Sequence, residues 1–198
     1  MTRLLLWRHG QTAWNAAERV QGHLDVELSD TGRAQAAAAA PKLAALKPDL
    51  LVASDLRRAL DTAAELAALT GLDITVDARL RERCYGEWQG HSLAEIAARW
   101  PQEYARWRAG RPVGGAGVED LDEFAKRVGA ALQDAVDGAP GGTIVIATHG
   151  GSARHGAAQL LDWPGTVART LRVLANCHWT ELTFDAVRGW QLSAHNVG

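Results

Sequence analysis

Apolar positions along the chain fall into two alternating patterns. Arg3 to Trp7 is a short apolar run that reads as a buried strand and is closed by a turn at Gly10. Asp30 to Leu46 carries helical spacing, with Ser29 or Asp30 as N-cap and Pro48 just past its end. Leu50 to Ala53 is a second short strand. Asp55 to Thr70 is a second helix, with Leu56, Leu60, Ala63, Ala64 and Ala67 at helical spacing and Gly71 as its stop. Ile74 to Val76 is a short strand. From about Glu82 to Gly117 the pattern becomes irregular and aromatic, with a Gly-rich stretch GRPVGGAG. Glu119 to Val136 places Leu121, Phe124, Val128, Leu132 and Val136 on one helical stripe. TIVIAT is the clearest buried strand, and an Ala-rich helix follows it to Leu161. Val167 to Leu192 reads as two or three strands with one hairpin. This order predicts an α/β fold, a three-layer sandwich whose mainly parallel sheet is flanked by helices. The irregular segment, roughly residues 83–118, is predicted to be a small helical cap inserted over the sheet.

Composition narrows the class. The 198 residues, 47% apolar and 22% charged, suit one domain spanning residues 1–198. Charge is nearly balanced, 21 Lys+Arg against 23 Asp+Glu for a formal net of −2, and no basic stripe is visible. A nucleic-acid partner is therefore not expected. Only Lys42, Lys47 and Lys126 among the 21 cations are lysines, a skew that fits a GC-rich coding bias and is no evidence for phosphate binding. Two cysteines, Cys84 and Cys177, are too few for a disulfide framework and point to a reducing compartment. The apolar run Leu4 to Trp7 is too short for a secretory signal, and no stretch approaches the ~20 apolar residues of a membrane span. A cytoplasmic location with no membrane partner is the expectation.

The chemistry collects after the strands. In open α/β sheets ligands bind outside the carboxyl ends of the strands. Arg8-His9-Gly10 follows the first strand, Ser54 with Arg57 and Arg58 the second, and His149-Gly150-Gly151 follows TIVIAT. Glu82 comes a short connection after Ile74–Val76. Singly, each of these is more often a packed histidine, a solvated helix face or an ordinary turn. Together, they place two histidines, several arginines and one carboxylate on one rim. Helix N-termini and arginines suit a phosphoryl dianion, a neutral imidazole can attack phosphorus, and a carboxylic acid can protonate the leaving alkoxide. Arginines can neutralise transition-state charge, so neither a metal nor another cofactor is expected. A zinc site is the other use of two histidines. It lacks HxxxH and CxxC spacing, and the cysteines are distant from His9 and His149 in sequence.

Five segments carry a resemblance. LLLWRHGQTAWN, VQGHLDVELSDTGRAQA, SDLRRALDTA, RERCYGEWQG and ATHGG occur in this order and resemble the motifs of the histidine phosphatase (phosphoglycerate mutase-like) superfamily over nearly the whole chain. The resemblance implies a phosphoric monoester hydrolase of the histidine acid phosphatase type acting on a small phosphorylated metabolite. His9 matches the phosphorylated nucleophile. Arg8 and Arg58 match its phosphate clamp, His149 the fourth pocket member and Glu82 the acid/base. Asn15, Gln21 and Gly22 match residues at the pocket mouth. Gly10 and Gly150 match positions of close backbone approach, and Thr12 one that orders the loop. Trp88 is expected in the core; Trp14 is rim or core.

Departures from the pattern matter too. Cys84 stands where many mutases carry His. The usual GES becomes GVED, with Glu119 in register and Asp120 in place of Ser, an acidic group that would disfavour a very anionic substrate moiety if it faced the site. The chain lacks the length and C-terminal tail of the cofactor-dependent phosphoglycerate mutases, which makes water the expected acceptor. The alternatives are such a mutase and a non-catalytic phosphate-binding module. Arg83, Tyr85, His91, Trp100, Tyr104, Trp107 and Arg108 are cap residues that either choose the substrate or pack the cap. NCHWTEL is similar to actinobacterial family members that dephosphorylate glucosyl-3-phosphoglycerate; ribazole phosphate, phosphoglycerate and other sugar phosphates stay open. A homodimer through an edge strand or helix is a further expectation.

Overall fold

A computed structural model describes residues 1–198. In chain order the elements are β1 (Thr2–Arg8), α1 (Ala13–Ala16), α2 (Asp30–Ala44), β2 (Leu50–Ala53), α3 (Arg57–Thr70), β3 (Ile74–Val76), α4 (Leu93–Arg99), α5 (Pro101–Arg108), α6 (Leu121–Gly138), β4 (Thr143–Thr148), α7 (Gly150–Leu160), α8 (Gly165–Ala168), β5 (Trp179–Asp185) and β6 (Gly189–Val197). The six strands form one sheet in the order β3-β2-β4-β1-β5-β6. The first four are mutually parallel, and β5 and β6 add an antiparallel hairpin beyond β1. The mainly parallel α/β architecture is as the hydrophobic pattern predicts. No helix is long and apolar enough to cross a membrane.

Strand alternation divides the core. Leu4 and Leu6 of β1, with Ile144 and Ile146 of β4, pack on one face against Phe124, Val128 and Leu132 of α6 and Ala153 and Ala157 of α7. Leu5 and Trp7, with Val145 and Ala147, pack on the other against Ala36, Ala39, Ala40 and Leu43 of α2 and Ala63 and Leu66 of α3. Both faces are covered, which is why these strands read as continuous apolar runs. The alanine run is the inner face of α2, whose small side chains let it lie close to α3 and the sheet. Pro41 sits inside α2. The carbonyl that loses its partner there is that of Ala37, an exposed residue where water can replace the bond.

Two sequence expectations are corrected. The predicted strand opening at Val167 is instead the short helix α8, and strand structure resumes only at Trp179 and runs to Val197. Asp55 does not begin α3. It pairs with Arg81, and Asp25 from a distant loop accepts the Arg57 N–H at 2.8 Å to cap the helix.

Parallel register sets the functional end of the sheet. Arg8 lies opposite Thr148, and Ala53 opposite Ala147. The next residues continue the ladder, with His9 N–H donating to Thr148 O at 2.9 Å and Ser54 N–H to Ala147 O at 3.0 Å. Ser54, His149 and His9 therefore stand in a row. The loop after β1 is pinned on the first turn of α2. A Cβ on Gly10 would lie 2.4 Å from Gly32 O, and one on Gly32 would lie 2.0 Å from Gln11 O. Gly32→Ala is accordingly expected to cost about 1–3 kcal/mol of stability, read as a lower Tm and a weaker affinity for inorganic phosphate; an unchanged Tm would contradict this packing.

His155 of α7 packs edge-on against Phe124 of α6 at 5.6 Å. Burial, then the neighbouring Arg154 and Arg83, pull its imidazole down to about 4. An unfolded histidine takes up its proton near pH 6.5, whereas the folded one does so only near 4. Stability is therefore lost progressively as pH falls from 6.5 to 4, by up to about 3 kcal/mol. Denaturation midpoints measured across that window should decline in the wild type and decline less steeply in His155→Leu.

Candidate active site

The two histidines at the strand ends hold opposite tautomers. His9 is 3% exposed, and its Nδ1 lies 2.7 Å from the Gly10 carbonyl. A carbonyl only accepts, so Nδ1 carries the proton and Nε2 keeps its lone pair. His149 is fully buried. Its Nδ1 accepts from Arg58 Nε at 3.2 Å, so its proton sits on Nε2, 2.9 Å from Ser54 Oγ. The rings meet edge-on at 5.2 Å. Burial holds both imidazoles well below the ordinary histidine value, and the charges of Arg58 and Arg8 push the same way. Both are neutral at pH 7.

The cations are held by backbone rather than by carboxylates. Arg58, 1% exposed, donates to the carbonyls of Gly22 and Leu24, both at 2.8 Å, as well as to His149. Burial lowers its guanidinium to about 10, still protonated at neutral pH. Gly22 sits at φ +53°, which lets its carbonyl face Arg58, and a Cβ there would lie 2.1 Å from Gln89 Oε1. Arg8 donates from Nη1 to the Leu174 carbonyl, and its buried Nε has no acceptor in the protein.

The carboxylate is fixed by amides. Glu82 follows a 3-10 turn, Ala78–Leu80, after β3. Its Oε1 accepts from Arg83 N–H at 2.8 Å, and its Oε2 accepts from Gly151 N–H in the first turn of α7 at 2.9 Å. Its own carbonyl accepts from Arg127 Nη2 at 2.9 Å and from His23 Nε2 at 2.8 Å. Arg127 also grips the carbonyls of Arg79 at 2.6 Å and Arg81 at 2.8 Å, and pairs with Glu119 at 2.6 Å. Glu119 Oε2 in turn accepts from Cys84 N–H at 2.9 Å. Asp120 does not face the site. Its carboxylate caps α6, accepting from Asp122 and Glu123 N–H at 2.8 and 3.1 Å.

These groups meet in a cavity of about 580 Å³. Arg8, His9, Asn15, Gln21, Gly22, Arg58, Glu82, His149 and Gly150 all line it. Gly10 does not; it packs on Gly32 and serves the site through its carbonyl. Thr12 caps α1 and forms a reciprocal capping box with Asn15. Gln21 Oε1 and Trp88 Nε1 are buried in the cavity wall without partners. Trp88, 1% exposed, meets Trp107 edge-on at 6.1 Å. Of the cap candidates, Tyr85 and Trp107 reach this cavity, whereas Arg83 and Arg108 line an adjoining chamber. His91 stacks on Trp100, and Tyr104 on Trp107, as cap packing. Trp14 borders a separate groove. No group of three or more His, Cys, Asp or Glu side chains is arranged to hold a metal ion.

Several participants escaped sequence reasoning. Asn176 donates to the His9 carbonyl at 3.0 Å and to Asn15 Oδ1 at 3.3 Å, from within the NCHWTEL segment. The Leu174 carbonyl supports Arg8, while Ser54, which the sequence does place at a strand end, supports His149. Val20, Leu93 and Val173 complete the apolar wall.

Comparison with known proteins supplies the family. The family model described as histidine phosphatase superfamily (branch 1) matches residues 4–198. The glucosyl-3-phosphoglycerate phosphatase of Mycobacterium tuberculosis strain H37Rv is 39% identical over 211 aligned positions, covering 98% of this chain and 94% of that protein. The structure of the mycobacterial glucosyl-3-phosphoglycerate phosphatase complexed with VO3 superposes with a TM-score of 0.91 at 39% identity, covering 99% of both chains. The Entamoeba histolytica phosphoserine phosphatase in complex with 3-phosphoglyceric acid superposes at 0.88 with 27% identity, covering 100% of this chain and 98% of that one. With one family model spanning almost every residue, and the motif-bearing strand ends converging in one cavity, the chain belongs to the histidine phosphatase superfamily, branch 1.

Proposed function

We propose that this protein is a phosphomonoesterase that hydrolyses a small phosphorylated metabolite through a phosphohistidine on His9. The observation that carries this reading is the free Nε2 lone pair of His9, fixed by the Nδ1 bond to Gly10 and facing a cavity with two arginines that no carboxylate contacts. A phosphoryl group in that cavity would take the charge-assisted bonds that Arg8 Nε and Arg58 offer. His149 fixes Arg58 and borders the cavity beside His9. Asn15, Gln21 and the Gly22 and Gly150 backbone line its mouth.

In the first step His9 Nε2 attacks phosphorus, the P–O ester bond breaks, and Glu82 gives its proton to the departing alkoxide. In the second, the Glu82 carboxylate takes a proton from water and the resulting hydroxide attacks phosphorus. The N–P bond breaks, and inorganic phosphate and neutral His9 are regenerated. The unpaired Trp88 Nε1 and the faces of Tyr85 and Trp107 supply a donor and flat apolar walls, a combination that suits a sugar ring. Glucosyl-3-phosphoglycerate, the compound in the relatives' names, is thus the first substrate to assay.

His9→Ala is expected to abolish both turnover and the acid-labile phosphoryl label that rapid quenching traps on the wild type. Retained turnover in that variant would refute the scheme, and isomerisation of phosphoglycerate faster than phosphate release would assign a mutase instead.

Arg127 acts through Glu82. It holds three carbonyls of the segment that carries the acid, and a displacement of about 1 Å can cost ~100-fold in rate. Arg127→Met is expected to lower kcat about 10–100-fold with little change in KM, and Arg127→Lys to recover part of it. An equal loss through KM alone would mean that Arg127 does not position the acid.

A further inference from the structure

Beyond Glu82 a second chamber of about 420 Å³ adjoins the cavity. The two share Glu82, Tyr85, Trp107 and Val173 as a common wall. The chamber is strongly cationic, yet its arginines differ in what they do. Arg83 is spent on the Glu119 carbonyl, and Arg169 on the carbonyls of Arg108 and Ala109. Arg108 and Arg111 are exposed at the rim, where water satisfies them. Arg154 is the exception. Its Nε is buried with no acceptor, and its side chain forms neither a hydrogen bond nor an ion pair with the protein. A buried guanidinium N–H without a partner is costly. The one carboxylate nearby, Glu82, already has an amide on each oxygen.

Arg154 is also well placed relative to the reaction. It lies three residues after Gly151 on α7, so both face the same side of the helix, and Gly151 N–H is the group that holds Glu82. The Tyr85 hydroxyl borders the same wall. Burial and the charge of Glu82 keep that phenol protonated, so it is available as a donor.

We propose that Arg154, with the Tyr85 hydroxyl, forms an anion subsite on the leaving-group side of Glu82 that takes a carboxylate of the departing alcohol. The inference rests on the proposed role of Glu82, because the group that protonates the leaving oxygen must stand between the phosphoryl pocket and the rest of the alcohol. It assigns the preferred substrates as phosphate esters of hydroxy acids, in which the carboxylate lies a few bonds from the ester oxygen. One carboxylate matches one uncompensated guanidinium. A second phosphoryl dianion would carry more charge than one guanidinium compensates, and would fall to Arg108 and Arg111 at the rim.

The test compares 3-phosphoglycerate with glycerol 3-phosphate, which replaces the carboxylate by a hydroxymethyl group. The readout is the ratio of their kcat/KM values. The wild type is expected to favour 3-phosphoglycerate, and Arg154→Met to reduce the ratio about 10–100-fold, mainly through KM, as loss of a hydrogen bond to a charge predicts. Arg154→Lys should restore part of it. Arg154→Gln gives the same reading should the Met variant fail to fold. A ratio that Arg154 substitutions leave unchanged would overturn the subsite. So would a wild type that prefers glycerol 1,3-bisphosphate and loses that preference in the variants, since the anion would then be a second phosphate. Calorimetric binding of the same esters separates the two proposals. If no phosphate is released but the binding ratio still collapses in Arg154→Met, the hydrolytic reading fails and the subsite stands; if turnover is intact and neither ratio moves, the reverse holds.

Discussion

Burial of the Arg58 guanidinium is the constraint on which the functional end of this fold depends. It is 1% exposed and still charged, and its partners are two backbone carbonyls and an imidazole nitrogen. A carboxylate in their place would cancel the charge. Carbonyl dipoles satisfy the N–H groups and leave the net charge standing, at a desolvation cost that the rest of the fold must carry. Much of the local structure is dictated by this choice. The Gly22 carbonyl reaches Arg58 only because that residue adopts a left-handed backbone. His149 must present a bare Nδ1 to a donor, which forces its proton to the nitrogen facing Ser54. His9, beside the same field, is held neutral. A bound dianion would offset that desolvation cost.

A carboxylate near two arginines would ordinarily collapse into an ion pair. Glu82 does not, because both of its oxygens are already taken by the amides of Arg83 and Gly151. Its electrostatic influence on Arg8 and Arg58 persists without contact. The amide at the start of α7 adds the favourable end of the helix dipole. In the proposed reaction this keeps acid and clamp apart, close enough to act on opposite ends of one ester bond. The network from Glu119 through Arg127 to the carbonyls of residues 79, 81 and 82 makes that separation rigid.

Most of the site is legible in the sequence where chemistry is carried by side chains at strand ends. Buried parallel strands announce themselves as apolar runs, and the register of β1 and β4 then brings Arg8 and Thr148, with His9 and His149 beyond them, side by side. Legibility fails where the partner is backbone or comes from a distant irregular segment. Nothing in the letters of Leu174 says that its carbonyl will hold Arg8, and Val173 and Asn176 reach the site from a stretch without periodicity. Arg127 has the spacing of a solvated helix face, and only the fold shows that it spans three carbonyls. Asp120 is legible in principle, since an aspartate just ahead of an amphipathic run is an N-cap signal. Its position within a site motif masks that simpler role.

The near-zero net charge is best understood through pairing. Glu181 neutralises Arg3, Asp55 neutralises Arg81, and Glu119 neutralises Arg127, and none of these six lines the cavity. Arg8, Arg58 and Arg154 have no carboxylate partner, and each has buried nitrogen. A count of 21 cations against 23 anions cannot distinguish a chain that pairs every buried charge from one that leaves buried arginines without a carboxylate. Holding such groups partly out of water strengthens their field over a few ångströms while the formal net charge of the chain stays at −2. A small net charge and a strongly positive cavity are therefore compatible, because the first sums the whole chain and the second depends on which few charges are buried without a counter-ion.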